Sequence, residues 1–306
     1  SLAQVLSIRV NDVAPVLSYQ SPVLTATKGV AITEVTATLT GGGAVTGCVA
    51  SPSLPSGLGI GATTCALSGT PSGLSAQAVY TITASNSGGS SSTLYTITVN
   101  DAAPVMSYTP SSLEATKGVA IASQVPGNTG GAITGCSVSP ALPAGMSLGV
   151  TSCTIAGTAS QVQAATEYVV TASNTGGTSQ SSFTLTVKDV APNLSFSPST
   201  LVGTIGNAIA TRTPASTGGA ITGCTVSQAL PSGLSLSTVD CSITGTPTQE
   251  TGSAEYTVTA SNTGGSGSAT ITIAVNDVAP SIAFTPSSRS VTKDVADRKS
   301  TRLNSS

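Results

Sequence analysis

The sequence repeats itself with a period of 88 residues. Cys48, Cys136 and Cys224 are spaced by that interval, as are Cys65, Cys153 and Cys241, and Asn86, Asn174 and Asn262. A fixed period constrains architecture more than any single motif, because every copy must satisfy the same fold. This period is too long for a solenoid turn and suits a small autonomous domain. The expected organisation is the end of a preceding repeat at 1–12, whole repeats at 13–100, 101–188 and 189–276, and the start of a fourth at 277–296. The opening SLAQVLSIRVND resembles the closing strand of a repeat, TLYTITVND. The fourth copy stays in register through Lys293, Val295 and Ala296 and breaks at Asp297; the last ten residues, DRKSTRLNSS (297–306), turn basic and polar and read as a foreign or disordered tail.

Composition removes whole classes of function. Only 7% of the 306 residues are charged and the net charge is −2, so no basic stripe exists to track nucleic-acid phosphates. Apolar residues make up 39%, but they are scattered among Ser, Thr and Gly, and no run approaches the ~18 residues of a membrane span. No polybasic or amphipathic segment points to a membrane surface. Histidine is absent, which excludes Ser-His-Asp and Cys-His pairs and the commonest transition-metal ligand.

The second copy shows the local structure. Short apolar segments run from Ala103 to Tyr108, from Leu113 to Ile121 around a Lys-Gly turn, from Ala132 to Val138 and from Cys153 to Thr158. Ala141–Leu148 reads as a kinked connection. The last two strands form the clearest hairpin. Tyr168, Val170 and Ala172 share one face of the first arm, and Phe183, Leu185 and Val187 share one face of the second, with Thr and Ser opposite. Period-two alternation of this kind marks half-buried antiparallel strands. Asn174 and the paired Gly176 and Gly177 are expected to supply positive φ for the reversal. About seven short strands, regular turn signals and no helical periodicity point to an all-β fold of tandem β-sandwiches. The aromatics fall at three repeat positions: Tyr19, Tyr108, Phe196 and Phe284; Tyr80, Tyr168 and Tyr256; Tyr95 and Phe183. All lie on the apolar phase of a strand and are expected in the core.

The segment LPSGLGIGATTCALSGTPSGLSAQAVYTITASNSGG (54–89) resembles the Ig-like repeat of bacterial surface proteins. The resemblance rests on Leu54, Pro55, Gly57, Leu58, Gly69, Thr70, Pro71 and Tyr80. In the third copy it rests on Leu230, Pro231, Gly233, Leu234, Gly245, Thr246, Pro247 and Tyr256. The second copy departs at Thr158-Ala159, where the proline is missing. The resemblance implies an immunoglobulin-like or cadherin-like β-sandwich of about seven strands in cell-surface proteins, often in long arrays, and no reaction.

Each repeat carries one cysteine pair with 16 residues between. An even count in a low-charge, Ser/Thr-rich β-repeat reads as disulfides formed in an oxidising compartment, Cys48–Cys65, Cys136–Cys153 and Cys224–Cys241, with free buried thiols as the alternative. Two thiolates without histidine cannot complete a four-coordinate zinc site.

Every repeat boundary carries the same short string, in which Asp12, Asp101, Asp189 and Asp277 precede Val-Ala-Pro or Ala-Ala-Pro. These junctions are proline-stiffened. They resemble part of the cadherin linker, where junction carboxylates bind calcium. The Asp-Arg-Glu and Asp-x-Asp partners of that linker are missing, and the competing expectation is that Asp caps a turn. Other readings are weaker. Leu-Pro-Ser-Gly lacks the Thr of a sortase signal, and Lys28 and Lys117 have no third counterpart for an intramolecular Lys–Asn bond because Ile205 stands there. Asp240, Glu250 and Glu255 read as a solvated face, and Asn193-Leu194-Ser195 as an incidental sequon.

The expected function is a non-enzymatic structural or adhesive stalk of a bacterial cell-surface or secreted protein. It is expected to need no cofactor and to have its neighbouring repeats and an unknown extracellular ligand as partners. A calcium-stiffened cadherin-like adhesion array is the alternative at the four aspartates, and an accessory region of a large secreted polysaccharide-active enzyme is another.

Overall fold

The computed structural model describes residues 4–283. Phe284, the later part of the fourth repeat and the tail at 297–306 lie outside the described residues, as do residues 1–3. The fold is all-β. The chain divides into two compact units, Ser1–Val190 and Ala191–Ser306, the first holding two repeats and the second holding the third.

Each repeat has eight short strands. The first holds β1 (Val16–Ser18), β2 (Val23–Thr27), β3 (Thr38–Thr40), β4 (Gly47–Ser51), β5 (Leu58–Ile60), β6 (Leu67–Gly69), β7 (Ser75–Asn86) and β8 (Gly89–Asn100). The second holds β9 (Met106–Ser107), β10 (Ser112–Thr116), β11 (Gly127–Asn128), β12 (Gly135–Ser139), β13 (Met146–Leu148), β14 (Ile155–Gly157), β15 (Gln163–Asn174) and β16 (Gly177–Lys188). The third holds β17 (Asn193–Ser195), β18 (Thr200–Thr204), β19 (Ala215–Thr217), β20 (Gly223–Val226), β21 (Leu234–Leu236), β22 (Ile243–Gly245), β23 (Thr251–Asn262) and β24 (Gly265–Asn276). The supposed connection at 141–148 therefore contains a strand, β13, paired antiparallel with β14.

A four-stranded sheet is the backbone of each repeat, in the order β2-β8-β7-β4 in the first, and two-stranded pieces β1-β3 and β5-β6 complete it. The hairpin arms are 12 residues long, longer than their apolar alternation alone marks. The first five-residue strand of each repeat runs parallel to the last strand. Val23 sits beside Thr96 and Thr27 beside Asn100, and the same register recurs for β10 with β16 and β18 with β24. A parallel pair needs a long crossover, and here the crossover is most of the domain.

Alternation along the hairpin builds the core. Tyr80, Ile82 and Ala84 on β7, with Tyr95, Ile97 and Val99 on β8, are buried, while the intervening threonines face solvent. The equivalent positions in the other repeats include Val170, Leu185, Val258 and Ile273, all fully buried. Tyr80, Tyr95, Tyr108, Tyr168, Phe183, Phe196 and Tyr256 are buried and Tyr19 is half-buried. Tyr19 meets Tyr95 edge-on with centroids 4.8 Å apart, Tyr108 lies tilted on Phe183 at 5.4 Å, and Tyr168 stacks on Phe183 at 5.4 Å.

The disulfides join Cys48 to Cys65, Cys136 to Cys153 and Cys224 to Cys241, with Cα–Cα distances of 5.3, 5.4 and 5.4 Å. Each connects the edge strand of the four-stranded sheet to the loop that leads into β6, β14 or β22. Closing such a loop contributes on the order of 3 kcal/mol.

The second cysteine of each pair is fully buried and has positive φ, +52° at Cys65, +51° at Cys153 and +57° at Cys241. That conformation is unfavourable for a side-chain-bearing residue and persists only where its surroundings over-determine it. The disulfide supplies one constraint. The Tyr19 hydroxyl supplies another by donating to the Cys65 carbonyl at 2.6 Å, and the Tyr108 hydroxyl donates to the Cys153 carbonyl. Phe196 cannot do this in the third repeat. There the Asp240 carboxylate accepts from the Ser242 amide at 3.1 Å and the Ser242 hydroxyl at 2.8 Å, fixing the same loop. Hydrogen bonds from Ser237 and Ser242 hold its carboxyl below the usual range.

Burial pushes the Tyr108 hydroxyl up from 10.0 to about 12. A folded-state value above the unfolded one means that the protonated phenol contributes stability below pH ~10, which is lost as pH rises towards about 12. Tyr108→Phe is expected to cost about 1 kcal/mol at neutral pH through the lost hydrogen bond. The difference between wild type and variant should shrink as pH rises above 10, measured by denaturant titration of the full chain.

Candidate functional site: the repeat junctions

Among the described residues a recurring polar constellation lies where the chain enters the first and second repeats. Three elements converge there: the junction aspartate with its following residues, the turn of the long hairpin, and the glycine-rich loop before β4 or β12.

The recurring asparagine is the centre of this site. Its Nδ2 reaches both other elements. Asn86 donates to the Val13 carbonyl at 2.8 Å and the Gly43 carbonyl at 3.3 Å. Asn174 donates to the Ala102 carbonyl at 2.6 Å and the Ala132 carbonyl at 3.1 Å. Its Oδ1 closes the hairpin turn by accepting from the amide two residues on, at Gly88, Gly176 and Gly264. The asparagine was expected to provide positive φ. Only the second glycine does so, at Gly89, Gly177 and Gly265. The first glycine is required by proximity instead. A Cβ on Gly88 or Gly176 would collide with the carbonyl of Asp12 or Asp101.

The junction aspartates sit on the rim of this arrangement. Asp12 donates its amide to Ser87 Oγ at 3.0 Å and accepts from that hydroxyl through Oδ2 at 2.9 Å. Asp101 donates its amide to Thr175 Oγ1 at 3.0 Å. Its carboxylate accepts from the Ala102 amide at 3.0 Å and the Ala132 amide at 3.3 Å. Asp189 and Asp277 accept from the next amide at 3.0 and 2.7 Å. The Asp101, Asp189 and Asp277 carboxylates thus accept backbone amides, whereas that of Asp12 accepts a side-chain hydroxyl. Calcium takes six to eight oxygens, usually from several carboxylates. Each junction brings a single aspartate, and among the described residues no three Asp, Glu, Cys or His side chains cluster.

The remaining sequence candidates do not converge. Asp240 belongs to the Cys241 loop, and Glu255 lies on the outer sheet face opposite Thr272. Lys188 pairs with Glu114 at 2.8 Å across the parallel strands of the second repeat, a largely exposed contact worth a few tenths of a kcal/mol. The asparagine's role was not read from the sequence, although its recurrence with the cysteines is the signal that marks it.

These features define tandem immunoglobulin-like domains. The chain belongs to the family described as "Putative Ig domain", whose model matches residues 14–100, 103–188 and 191–276. No curated protein matches the chain. Among solved structures it is similar to the I-band fragment I67–I69 from titin, at 17% identity over 89% of this chain and 100% of that one, with a TM-score of 0.43. It is also similar to the N-terminal eight Ig domains of Down Syndrome Cell Adhesion Molecule, at 17% identity over 86% and 36%, with a TM-score of 0.43. The endo-fucoidan hydrolase MfFcnA4 matches at 20% identity over 87% and 44%, with a TM-score of 0.26. Tandem domains of this fold are typically non-catalytic, and disulfide-bonded ones are typical of extracellular proteins. Among the described residues no helix is long and apolar enough to cross a membrane.

Asn174→Ala removes two side-chain donations and the turn acceptor. It is expected to destabilise the second repeat by about 2 kcal/mol, read as a shifted transition in calorimetry of the full chain. Gly176→Ala should do at least as much through backbone collision, whereas Asp101→Asn, which keeps an acceptor oxygen, should cost less than either.

Proposed function

We propose that this chain is a non-enzymatic stalk of a bacterial cell-surface or secreted protein, working outside the cell as a structural and adhesive spacer. The observation that carries this is the path of the chain through each repeat. The backbone enters at the hairpin turn, where Asp12 and Val13 meet Gly88, and leaves at the other end of β8, at Asn100. The 12 residues of β8 separate these ends by about 40 Å. A repeat connected this way adds its length to an array. The parallel pairing of β2 with β8 suits the same role. Tension between the ends pulls β2 and β8 in opposite directions along their shared axis, so all five residue pairs resist together.

Calcium stiffening of the junctions is the alternative reading of Asp12, Asp101, Asp189 and Asp277. Capping of backbone amides by Asp101, Asp189 and Asp277 favours the calcium-independent form. As an accessory region of a secreted enzyme, the same stalk would act as a spacer for a domain elsewhere in a longer protein.

Small-angle scattering of residues 13–276 in calcium and then in chelator tests the reading. An elongated particle of the same length in both is expected. A compact particle would overturn the stalk, and shortening in chelator alone would overturn its calcium independence.

A further inference from the structure

Four apolar side chains stand on the solvent face of the four-stranded sheet in the first repeat: Val23 on β2, Val49 on β4, Val79 on β7 and Leu94 on β8. They are 52, 62, 54 and 62% exposed. Val23 and Val79 flank Thr96 from its two sides, Leu94 lies opposite Thr81, and Thr83 lies between Ser92 and Val49. The sister repeats act as internal controls. The same register positions hold Ser112, Ser137, Glu167 and Ser182 in the second repeat. They hold Thr200, Thr225, Glu255 and Thr270 in the third. Four of four positions change from apolar to polar, although the buried face of the same strands stays apolar in all three repeats.

We propose that this face of the first repeat is a self-association surface whose partner is the same face of a second copy of the chain. Charge decides the occupant. In a two-fold contact only residues near the axis meet their own counterparts, so a carboxylate near the centre of the face repels its copy. Glu167 and Glu255 place such a carboxylate on the faces of the sister repeats, where Val79 stands in the first. The outward residues of β2, β4, β7 and β8 include no ionisable side chain, so among the three described repeats only the first is open to its own image. The hydroxyls between the apolar groups are partly satisfied already, with Thr83 and Ser92 bonded at 2.8 Å, which lowers the cost of removing water from the face.

Size sets the strength. Arms about 40 Å long in a sheet roughly 19 Å wide at its four-stranded part present on the order of 600 Å². A standard interface takes about 800 Å² per partner, so the pairing is weak and reversible, and is strengthened where many stalks are held close together. The inference names a partner for the adhesive part of the proposed function and rests on that reading for its purpose; the stalk itself stands without it.

Sedimentation velocity of the full chain from low to high micromolar concentration tests it. The wild type is expected to pass from monomer to dimer. Val79→Glu, which installs the residue of the sister repeats at an exposed position, should weaken dimerisation at least about tenfold, and Leu94→Ser should weaken it in the same direction. Circular dichroism of each variant checks that the fold is kept. A wild-type chain that stays monomeric at high micromolar concentration overturns the proposal, as does dimerisation that both substitutions leave unchanged. Scattering from monomeric Val79→Glu separates the two readings. An elongated particle keeps the stalk whatever becomes of the dimer, and a compact one overturns the stalk alone.

Discussion

The parallel pairing of the first long strand of each repeat with its last is the constraint on which the rest depends. It joins residues at opposite ends of the domain sequence, so forming it encloses everything between. Once β2 lies beside β8, the buried face of the hairpin must be covered by the remaining short strands. The chain must also leave at the end opposite to the one where it entered. A sandwich that admits and releases its chain at opposite ends can be copied in tandem without rearrangement, which is the property the 88-residue period exploits.

Two devices make so small a core sufficient. The disulfide ties the edge of the four-stranded sheet to a loop whose cysteine sits at positive φ, and a hydrogen bond holds that loop in each repeat. The first two repeats use a tyrosine hydroxyl and the third an aspartate, so the constraint is kept while the residue that imposes it changes. At the junction one asparagine side chain bonds the incoming chain, the hairpin turn and the glycine-rich loop together. The turn that closes a repeat is therefore the turn that receives the chain, and stability and orientation depend on the same few hydrogen bonds.

Much of this was legible in the sequence because its signals were local or periodic. Alternation along Tyr168–Ala172 and Phe183–Val187 set the buried face, and the cysteine spacing pointed to one pair per repeat. What escaped was non-local or conformational. Parallel pairing of Ser112–Thr116 with the last strand leaves no trace in either segment, since a five-residue extended run looks alike in both orientations. The αL conformation of Cys153 is hidden because its neighbours impose it, where a glycine would have announced it. Tyr108 reads as an apolar anchor, and only the structure shows its hydroxyl at a carbonyl 45 residues away. The Asn174–Gly177 turn was placed correctly for an incomplete reason. Its asparagine reaches a carbonyl 72 residues earlier, and its first glycine is there because backbone passes too close for a Cβ.

Pulling single molecules of the full chain by their ends addresses the central claim most directly. If β2 and β8 and their counterparts are loaded in shear, extension should show three separate force peaks, one for each repeat. The disulfide spans a sequence separation of 17, so each released length should grow by about 60 Å on reduction, at ~3.5 Å per residue. Smooth extension at low force, or released lengths that do not change on reduction, would contradict the account.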